Sequence, residues 1–252
     1  MPILFRPLIA VGLSLAVAGA ALAATQHAPT LAQALADPAR AEQRGFDERR
    51  HPAELVALAD LKPGSRVLDL VPGNGYWTRI FSRLVGPTGR VYAVWPKAYG
   101  DLAASDVKET QGLKRRYPNV RTLVQPSVTL SSPEPLDVIW TAQNFHDYND
   151  KFMGAPGSPA LANAAFRILK PGGLFIVIDH DAAPGRGAQD SDTLHRIERS
   201  TVVDQAKAVG FVLVGESAVL KNPADPLTNK VFDPSIRGHT SQFALKFRKP
   251  KG

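Results

Sequence analysis

The residues best suited to acid–base chemistry follow two predicted strands. His146 and Asp147 come shortly after the apolar run 136–140, and His180 ends the apolar run 174–180. The unperturbed pKa of histidine lies near physiological pH, so His146 could take a proton from an acceptor hydroxyl or amine. Asp147 could orient it, provided that a turn brings the two adjacent side chains together. The sequence predicts His146 as the base and His180 as the second candidate, with a packing or capping role for His146 as the alternative.

A wider polar pocket around these histidines is a further hypothesis. His195 and Glu198 are three residues apart on a predicted helix and would share a face. Both could join His146, His180 and Asp181. Such spacing does not define a metal site, and no His-Glu-x-x-His pattern is present. We therefore predict no metal, and a helix-surface pair is the alternative interpretation of His195 and Glu198.

A glycine loop joins the first predicted strand to a helix. The run 66–70 ends near Asp69, Gly73-Asn74-Gly75 follows, and residues 76–84 are helix-compatible. Glycine lets the backbone approach a ligand closely, and a helix N-terminus offers free N–H groups. The dinucleotide fingerprint would need a third glycine where Thr78 stands, and no Gly-Lys-Ser/Thr of a P-loop is present.

The elements after this loop give it a context. A helix that ends at Lys170 and a Pro171-Gly172-Gly173 turn lead into strand five, and further strands are predicted at 91–95, 120–124, 136–140 and 211–219. From about Glu54 to Lys249, this order resembles the class I S-adenosylmethionine-dependent methyltransferases. The resemblance implies an α/β, Rossmann-like fold. Its sheet would be seven-stranded and mostly parallel, with helices on both faces and a C-terminal antiparallel hairpin.

The resemblance also implies S-adenosylmethionine as the cofactor and suggests the residues that bind it. Gly73, Asn74 and Gly75 would lie under its methionine and ribose parts, and Asp69 would order the loop or meet the ammonium group. A brace within the loop is the alternative for Asp69. The other cofactor-binding candidates are Trp95 beside the adenine, which could instead belong to the core, Gln125 and Ser127 near its amino group, and Asn144 in the loop after strand four.

The end of strand two departs from the family pattern. An acidic residue usually accepts hydrogen bonds there from both ribose hydroxyls, but this chain has Trp95-Pro96-Lys97. Neither Trp nor Lys is a charged acceptor, and such a bond is worth about 1.5–3 kcal/mol. The alternative function is therefore a ligand-binding or otherwise repurposed protein that keeps the fold without methyl transfer.

The N-terminus is typical of a secretory signal. Arg6 precedes the apolar run 8–22, and Ala21-Leu22-Ala23 predicts cleavage before Ala24. An uncleaved leader that anchors the chain in a membrane is the alternative. We predict a signal peptide at 1–23, a lead-in and helix at 24–50 and the methyltransferase-like domain at 51–252. Export to the periplasm follows, with no stable membrane span after cleavage.

Several short motifs resemble a bacterial group of exported, predicted methyltransferases, namely His51-Pro52, Asp179-His180, 195–198, Asn222-Pro223 and the ending 243–250. That group does not specify an acceptor. The Asn/Asp-Pro-Pro-aromatic motif of many amino-group methyltransferases is absent after strand four, where Gln143-Asn144-Phe145-His146 stands. This favours an oxygen or carbon acceptor, or none.

The composition limits the classes of molecule that the protein could bind and the chemistry that it could use. The formal charge is +7, but the basic residues are scattered without interleaved aromatic residues, which argues against nucleic acid. The chain has no cysteine, so disulfides, thiolate metal sites and cysteine nucleophiles are excluded. We expect a small-molecule or envelope-associated substrate, and the sequence does not indicate an oligomeric state.

Overall fold

The computed structural model describes residues 28–126, 129–154 and 156–251. Its centre is a seven-stranded sheet whose strands are β1 (Arg66–Leu70), β2 (Arg90–Pro96), β3 (Val120–Gln125), β4 (Leu136–Ala142), β5 (Leu169–His180), β6 (Val212–Ser217) and β7 (Gln242–Arg248). The spatial order is β3-β2-β1-β4-β5-β7-β6. Strands β1 to β5 are parallel, and β7 is antiparallel to both β5 and β6. The predicted fold class and its C-terminal hairpin are confirmed.

Helices cover both faces of this sheet. They are α1 (Leu31–Leu35), α2 (Asp47–Arg50), α3 (Pro52–Ala57), α4 (Tyr76–Val85), α5 (Lys97–Leu102), α6 (Ala104–Gly112), α7 (Ser158–Ile168), α8 (Ser191–Leu194) and α9 (Arg199–Ala208), with 3₁₀ segments at Pro38–Phe46, Leu113–Arg115 and His146–Asn149. Successive strand residues point to opposite faces. Val67 therefore packs in the core under α4, and Leu68 packs in the core that includes residues of α7 and α9.

The predicted boundaries of α7 and β5 were wrong: the helix ends two residues before Lys170, and the strand begins five residues before the predicted start after Gly173. Helix α7 ends at Ile168, and β5 begins at Leu169. The pairing of β4 with β5 shifts from Leu136 opposite Leu169 to Val138 opposite Leu174. Three extra residues on β5 are accommodated there as a bulge. The Pro171-Gly172-Gly173 segment thus interrupts the pairing inside the strand and does not precede it.

The prediction that His195 and Glu198 share one helix face was also wrong. Helix α8 ends at Leu194, His195 adopts a left-handed conformation with φ 56°, and α9 begins only at Arg199. The intervening Arg196 is fully buried, and its guanidinium donates to the backbone oxygen of Asp181 over 2.8 Å. The chain leaves the helix because this buried arginine must reach partners beneath it.

The described part of the N-terminal segment packs against the domain. Asp37 forms an ion pair with Arg83 over 2.8 Å, and the Tyr76 hydroxyl donates to Asp47 over 2.5 Å. The predicted signal peptide and Ser127 lie outside the described residues. None of the helices within the described ranges is both long and apolar enough to cross a membrane.

Candidate active site

A cavity of about 450 Å³ opens at the carboxyl ends of β1, β4 and β5. Ligands bind at this edge in open α/β sheets, and the volume lies within the ~300–1,000 Å³ usual for small-molecule pockets. Its walls come from the loops after these strands, from the N-terminal segment and from the excursion between β6 and β7. The sequence-predicted site residues among its lining are Gly73, Asn74, Asn144, His146, Asp147 and His180.

The two glycines of the loop after β1 serve different needs. Both have positive φ, 56° at Gly73 and 80° at Gly75. A Cβ at Gly73 would meet no atom within 4 Å, so this position borders open space at the cavity. A Cβ at Gly75 would lie 2.7 Å from Leu113 Cδ1. Gly73 therefore leaves room for a ligand, whereas Gly75 lets the loop pack closely and does not line the cavity.

Asn74 is held by contacts on both sides of the glycine loop. The side-chain amide of Gln43 donates to its Oδ1 over 3.3 Å, and Arg79 donates to its backbone oxygen. Gln43 belongs to the 3₁₀ segment before α2, so the N-terminal segment supports the loop. It also contributes Phe46, Arg49 and Arg50 to the cavity lining.

Asp69 is buried behind the loop. Its carboxylate accepts a 2.6 Å hydrogen bond from the Thr78 hydroxyl, and 1% of the residue is exposed. Burial raises the pKa of Asp69 to about 7, against the hydrogen bonds from Thr78 and the Arg50 charge. Asp69 does not line the cavity. The geometry supports the brace, and the contact with a cofactor ammonium stays a prediction.

The structure does not bring the predicted adenine contacts to the cavity. Trp95 has no exposed surface, and its indole Nε1 donates to Thr110 over 3.0 Å, as a core residue does. Gln125 exchanges two hydrogen bonds with the backbone of Ser131, of 2.9 and 3.0 Å. Neither Trp95 nor Gln125 lines the cavity, because both side chains are engaged within their own loops and helices.

Three charged residues that the sequence analysis did not select line the cavity, namely Arg49, Arg50 and Asp106. Asp106 belongs to α6, well beyond the end of β2. The nearer acid, Asp101, is exposed and paired with Lys97 over 2.8 Å. Arg50 stacks with its guanidinium carbon 4.4 Å from the ring centre of Tyr76, and burial lowers its pKa. No local motif marks Asp106, whereas Arg50 precedes the His51-Pro52 motif.

At the opposite end of the cavity, His146 is fixed between two carboxylates. Asp179 accepts from the His146 backbone N–H over 2.8 Å and lies 2.7 Å from its Nδ1. The 3₁₀ turn brings His146 Nε2 to 2.9 Å from Asp147 Oδ1, the contact between neighbours for which a turn was required. Burial lowers the pKa of His146, but Asp179 and Asp147 outweigh it and raise the value to about 10.

His180 and His195 stand on either side of His146. Nδ1 of His180 lies 2.8 Å from the Thr240 hydroxyl, and burial lowers the pKa of His180 to about 3, so its imidazole is neutral. His195 places Nδ1 3.4 Å from His146 Nε2 and 3.6 Å from Asp147 Oδ1. Its ring packs against Phe232, with 4.9 Å between ring centres.

Two polar atoms at this end lack partners. Oδ2 of Asp147 and Oδ1 of Asn144 are buried and accept no hydrogen bond from the described residues. Burial raises the pKa of Asp147, but hydrogen bonds from His146 and His195 lower it overall, to about 2. Burial and this carboxylate also raise the pKa of Tyr99, which lines the same wall. Buried polar groups are rarely left unpaired, so this end is suited to a polar ligand.

This chain is similar to known proteins in both sequence and fold. A UbiE-type ubiquinone/menaquinone biosynthesis C-methyltransferase of Stutzerimonas stutzeri is 32% identical over 128 residues, which cover 49% of this chain and 45% of that relative. Another, from Erwinia tasmaniensis, is 29% identical over 192 residues, 73% of this chain and 71% of that relative. The chain thus spans just under half the length of the first relative.

Solved structures agree on the fold. A SAM-dependent methyltransferase from Aquifex aeolicus superposes with a TM-score of 0.56 at 19% identity, over 88% of this chain and 99% of that one. The [4+2]-cyclase SpnF gives a TM-score of 0.60 at 16% identity, over 81% of this chain and 82% of that one.

A sequence model of a methyltransferase family matches residues 49–218, which include the glycine loop, the three histidines and all strands up to β6. Members of this superfamily use S-adenosylmethionine, and the cavity beside the open Gly73 position is compatible with it. The chain therefore belongs to the protein-L-isoaspartate(D-aspartate) O-methyltransferase family, within the class I S-adenosylmethionine-dependent methyltransferases.

Proposed function

We propose that this methyltransferase acts on an oxygen or carbon atom of a small molecule or envelope component that binds beside His146. One observation carries the proposal: a single cavity joins the open glycine loop at Gly73 to the buried cluster of His146, Asp147 and His180. A cofactor at one end and an acceptor at the other would share this space. Methyl transfer depends chiefly on such alignment and on a deprotonated acceptor.

The cofactor end contains charges that suit S-adenosylmethionine. The cofactor supplies an electrophilic methyl group on a sulfonium. Gly73 and Asn74 would lie under it, and the Arg50 guanidinium would attract its carboxylate. Asp106 would accept from the ribose hydroxyls, in place of the acid that is absent after β2. A carboxylate from α6 lining the same cavity supports this assignment.

The acceptor end would bind and orient the group that receives the methyl. His146, Asp147 and His180 are the proposed catalytic residues. Asp179 is a positioning residue, because its carboxylate bonds to the ring and backbone N–H of His146 and to the backbone N–H of His180. The buried, unpaired Oδ1 of Asn144 would receive a hydrogen bond from the acceptor or cofactor. His146, Asp147 and His180 are buried, and this shielding from water strengthens polar contacts at the acceptor end.

Export is part of the proposal. The sequence at 1–23 has the pattern of a cleaved signal peptide, and several motifs resemble an exported group of predicted methyltransferases. We propose that the protein works in the periplasm on a molecule available there. The isoaspartyl residues and quinone precursors named for its relatives are the first acceptors to assay.

A second candidate function is catalysis or binding without methyl transfer. The [4+2]-cyclase SpnF has the same fold, and β2 of this chain ends without the usual acid. On this view the cavity would bind another ligand, and S-adenosylmethionine would be retained without turnover or would not bind.

The test is methyl transfer itself. Purified protein is incubated with S-adenosylmethionine that carries a labelled methyl group and with an envelope extract, an isoaspartyl peptide or a quinone precursor. The proposal predicts labelled product and one S-adenosylhomocysteine per methyl, both lost in His146→Ala with cofactor binding retained. Cofactor binding without label transfer to any of the three acceptors would favour the second function.

A further inference from the structure

We infer that His146, Asp147 and His195 form a binding site for a divalent transition-metal ion at the acceptor end of the cavity. Three potential ligand atoms converge there: His146 Nε2, Asp147 Oδ1 and His195 Nδ1. Their separations are 2.9, 3.4 and 3.6 Å. Donors that share one ion at ~2.1 Å lie ~3.0–3.5 Å apart in tetrahedral or octahedral geometry. The three atoms therefore already have nearly the spacing that an ion requires.

Hydrogen bonding alone accounts for part of this arrangement. It explains the 2.9 Å contact between His146 and Asp147. It accounts less well for His195 Nδ1, whose contacts of 3.4 Å with His146 Nε2 and 3.6 Å with Asp147 Oδ1 are long for hydrogen bonds. A cation between the three atoms would satisfy all of them together.

The surroundings of the cluster are those of a metal site. Asp179 Oδ1 lies 2.7 Å from His146 Nδ1, which fixes the ring and directs Nε2 to the cluster, as carboxylates behind metal-binding histidines do. Independently, Asp147 is 4% exposed and its second oxygen, Oδ2, has no hydrogen-bond partner among the described residues. A buried carboxylate oxygen without a partner is costly unless a ligand is present.

The backbone holds His195 in place for this role. Its φ of 56° is uncommon for a residue with a side chain. The buried ion pair of Arg196 with Asp225, with two contacts of 3.0 Å, anchors the next residue. The packing of Phe232 on the His195 ring limits its motion. A rigid ligand loses little entropy when it binds an ion.

The donor set indicates the class of ion. Two imidazole nitrogens and one carboxylate favour Zn²⁺, Fe²⁺ or Co²⁺ over Mg²⁺ or Ca²⁺, which prefer oxygen ligands. Three protein ligands leave coordination positions open, and all three residues line the cavity. Given the proposed methyl transfer, on which this step alone rests, an acceptor oxygen would take one open position and lose its proton to water. That oxygen would then bond to the methyl carbon while the sulfur takes the electrons of the broken bond.

The experiment measures metal binding without any cofactor. Chelator-treated protein is titrated with Co²⁺ and followed by calorimetry and by visible absorption, which reports nitrogen and oxygen ligands. We expect one saturable ion per chain. His195→Ala should weaken binding at least ~100-fold, since removing even a residue that only bonds to a metal ligand costs about 10–100-fold, and Asp147→Asn should do the same. The matched control is His239→Ala, which removes an exposed histidine that neither lines the cavity nor belongs to the cluster.

The site is refuted if Co²⁺ binds without saturation or binds His195→Ala and Asp147→Asn as it binds the wild type. Circular dichroism of each variant separates unfolding from lost ligation, and two different substitutions guard against one that fails to fold. S-adenosylmethionine titration of the same samples separates the two proposals. Metal binding without cofactor binding removes the proposed function and keeps the site, and the reverse result removes the site alone.

Discussion

The two ends of the cavity are built in different ways. The cofactor end is formed largely by backbone over a few consecutive residues, where Gly73 and Gly75 adopt positive φ between β1 and α4. The acceptor end is formed by side chains from three separate segments, His146, His180 and His195. Buried carboxylates contact the rings of His146 and His195, and the Thr240 hydroxyl contacts the ring of His180. The first end depends on local conformation, and the second depends on long-range contacts that exist only in the folded chain.

The largest expected effect is at the backbone-built end. Gly73→Val should abolish S-adenosylmethionine binding, because its side chain would occupy the open space at the loop. The matched control is Gly185→Val, which also has positive φ and open space but lies outside the cavity lining. Calorimetry on both folded variants is the measurement. Wild-type affinity in Gly73→Val would show that the loop is not the cradle.

The next effect is at the side-chain-built end. Arg196→Ala would leave Asp225 buried without its partner, and breaking such a pair costs about 3–5 kcal/mol in the free energy of unfolding. Lys97→Ala breaks the exposed pair with Asp101 and should cost no more than about 0.5 kcal/mol. Urea denaturation compares them. Similar losses of unfolding free energy in both variants would contradict the claim that the buried pair stabilises the fold more than the exposed pair does.

A smaller effect on cofactor binding is expected at Asp106, the proposed replacement for the acid that the family usually has after β2. Asp106→Asn should weaken S-adenosylmethionine binding by about ten- to a hundredfold, the value of one charge-assisted hydrogen bond. Asp101→Asn should leave the affinity unchanged, because this acid is exposed and paired with Lys97. If Asp101→Asn weakened binding and Asp106→Asn did not, the assignment of the ribose acid would be wrong.

The smallest effect on cofactor binding is expected at Asp69, where the change acts on stability instead. The pKa of Asp69 is about 7 in the folded protein and near 4 when unfolded, so wild-type stability falls as pH rises from about 4 to 7. Asp69→Asn removes that dependence, and its stability relative to wild type should rise by roughly 4 kcal/mol across this window, because a pKa difference of about three is worth ~1.36 kcal/mol for each unit. Thermal unfolding at several pH values is the measurement. A stability difference between the two proteins that does not change with pH would contradict the titration of a buried Asp69. Weaker cofactor binding by Asp69→Asn would support a direct contact between Asp69 and the cofactor ammonium.

The contrast also explains what sequence could predict. Local patterns of strand, turn and helix predict the fold, the glycine loop and the positions of His146, Asp147 and His180. The structure places the loop and these three residues at one edge of the sheet. Their chemical roles stay predictions. The wrong helix around His195 has a physical cause, because the partner that diverts it, Asp225, lies 29 residues from Arg196.

Long-range contacts also explain the remaining differences between the site predicted from the sequence and the site in the structure. Trp95 is at the expected strand end, but its indole Nε1 donates to Thr110 of α6 and the side chain is buried. Asp106 carries no motif and reaches the cavity only because α6 packs beside the loop. A local pattern does not encode which side of a later helix faces a cavity.

The most direct test of the central claim is calorimetric titration of the purified chain with S-adenosylmethionine, with S-adenosylhomocysteine alongside. Micromolar binding of both ligands at one site per chain is the predicted result, because in the proposed assignment Arg50, Asp106 and the glycine loop would replace the missing contacts. No heat at millimolar concentrations of either ligand would mean that the fold has lost its cofactor, and would contradict the proposed function.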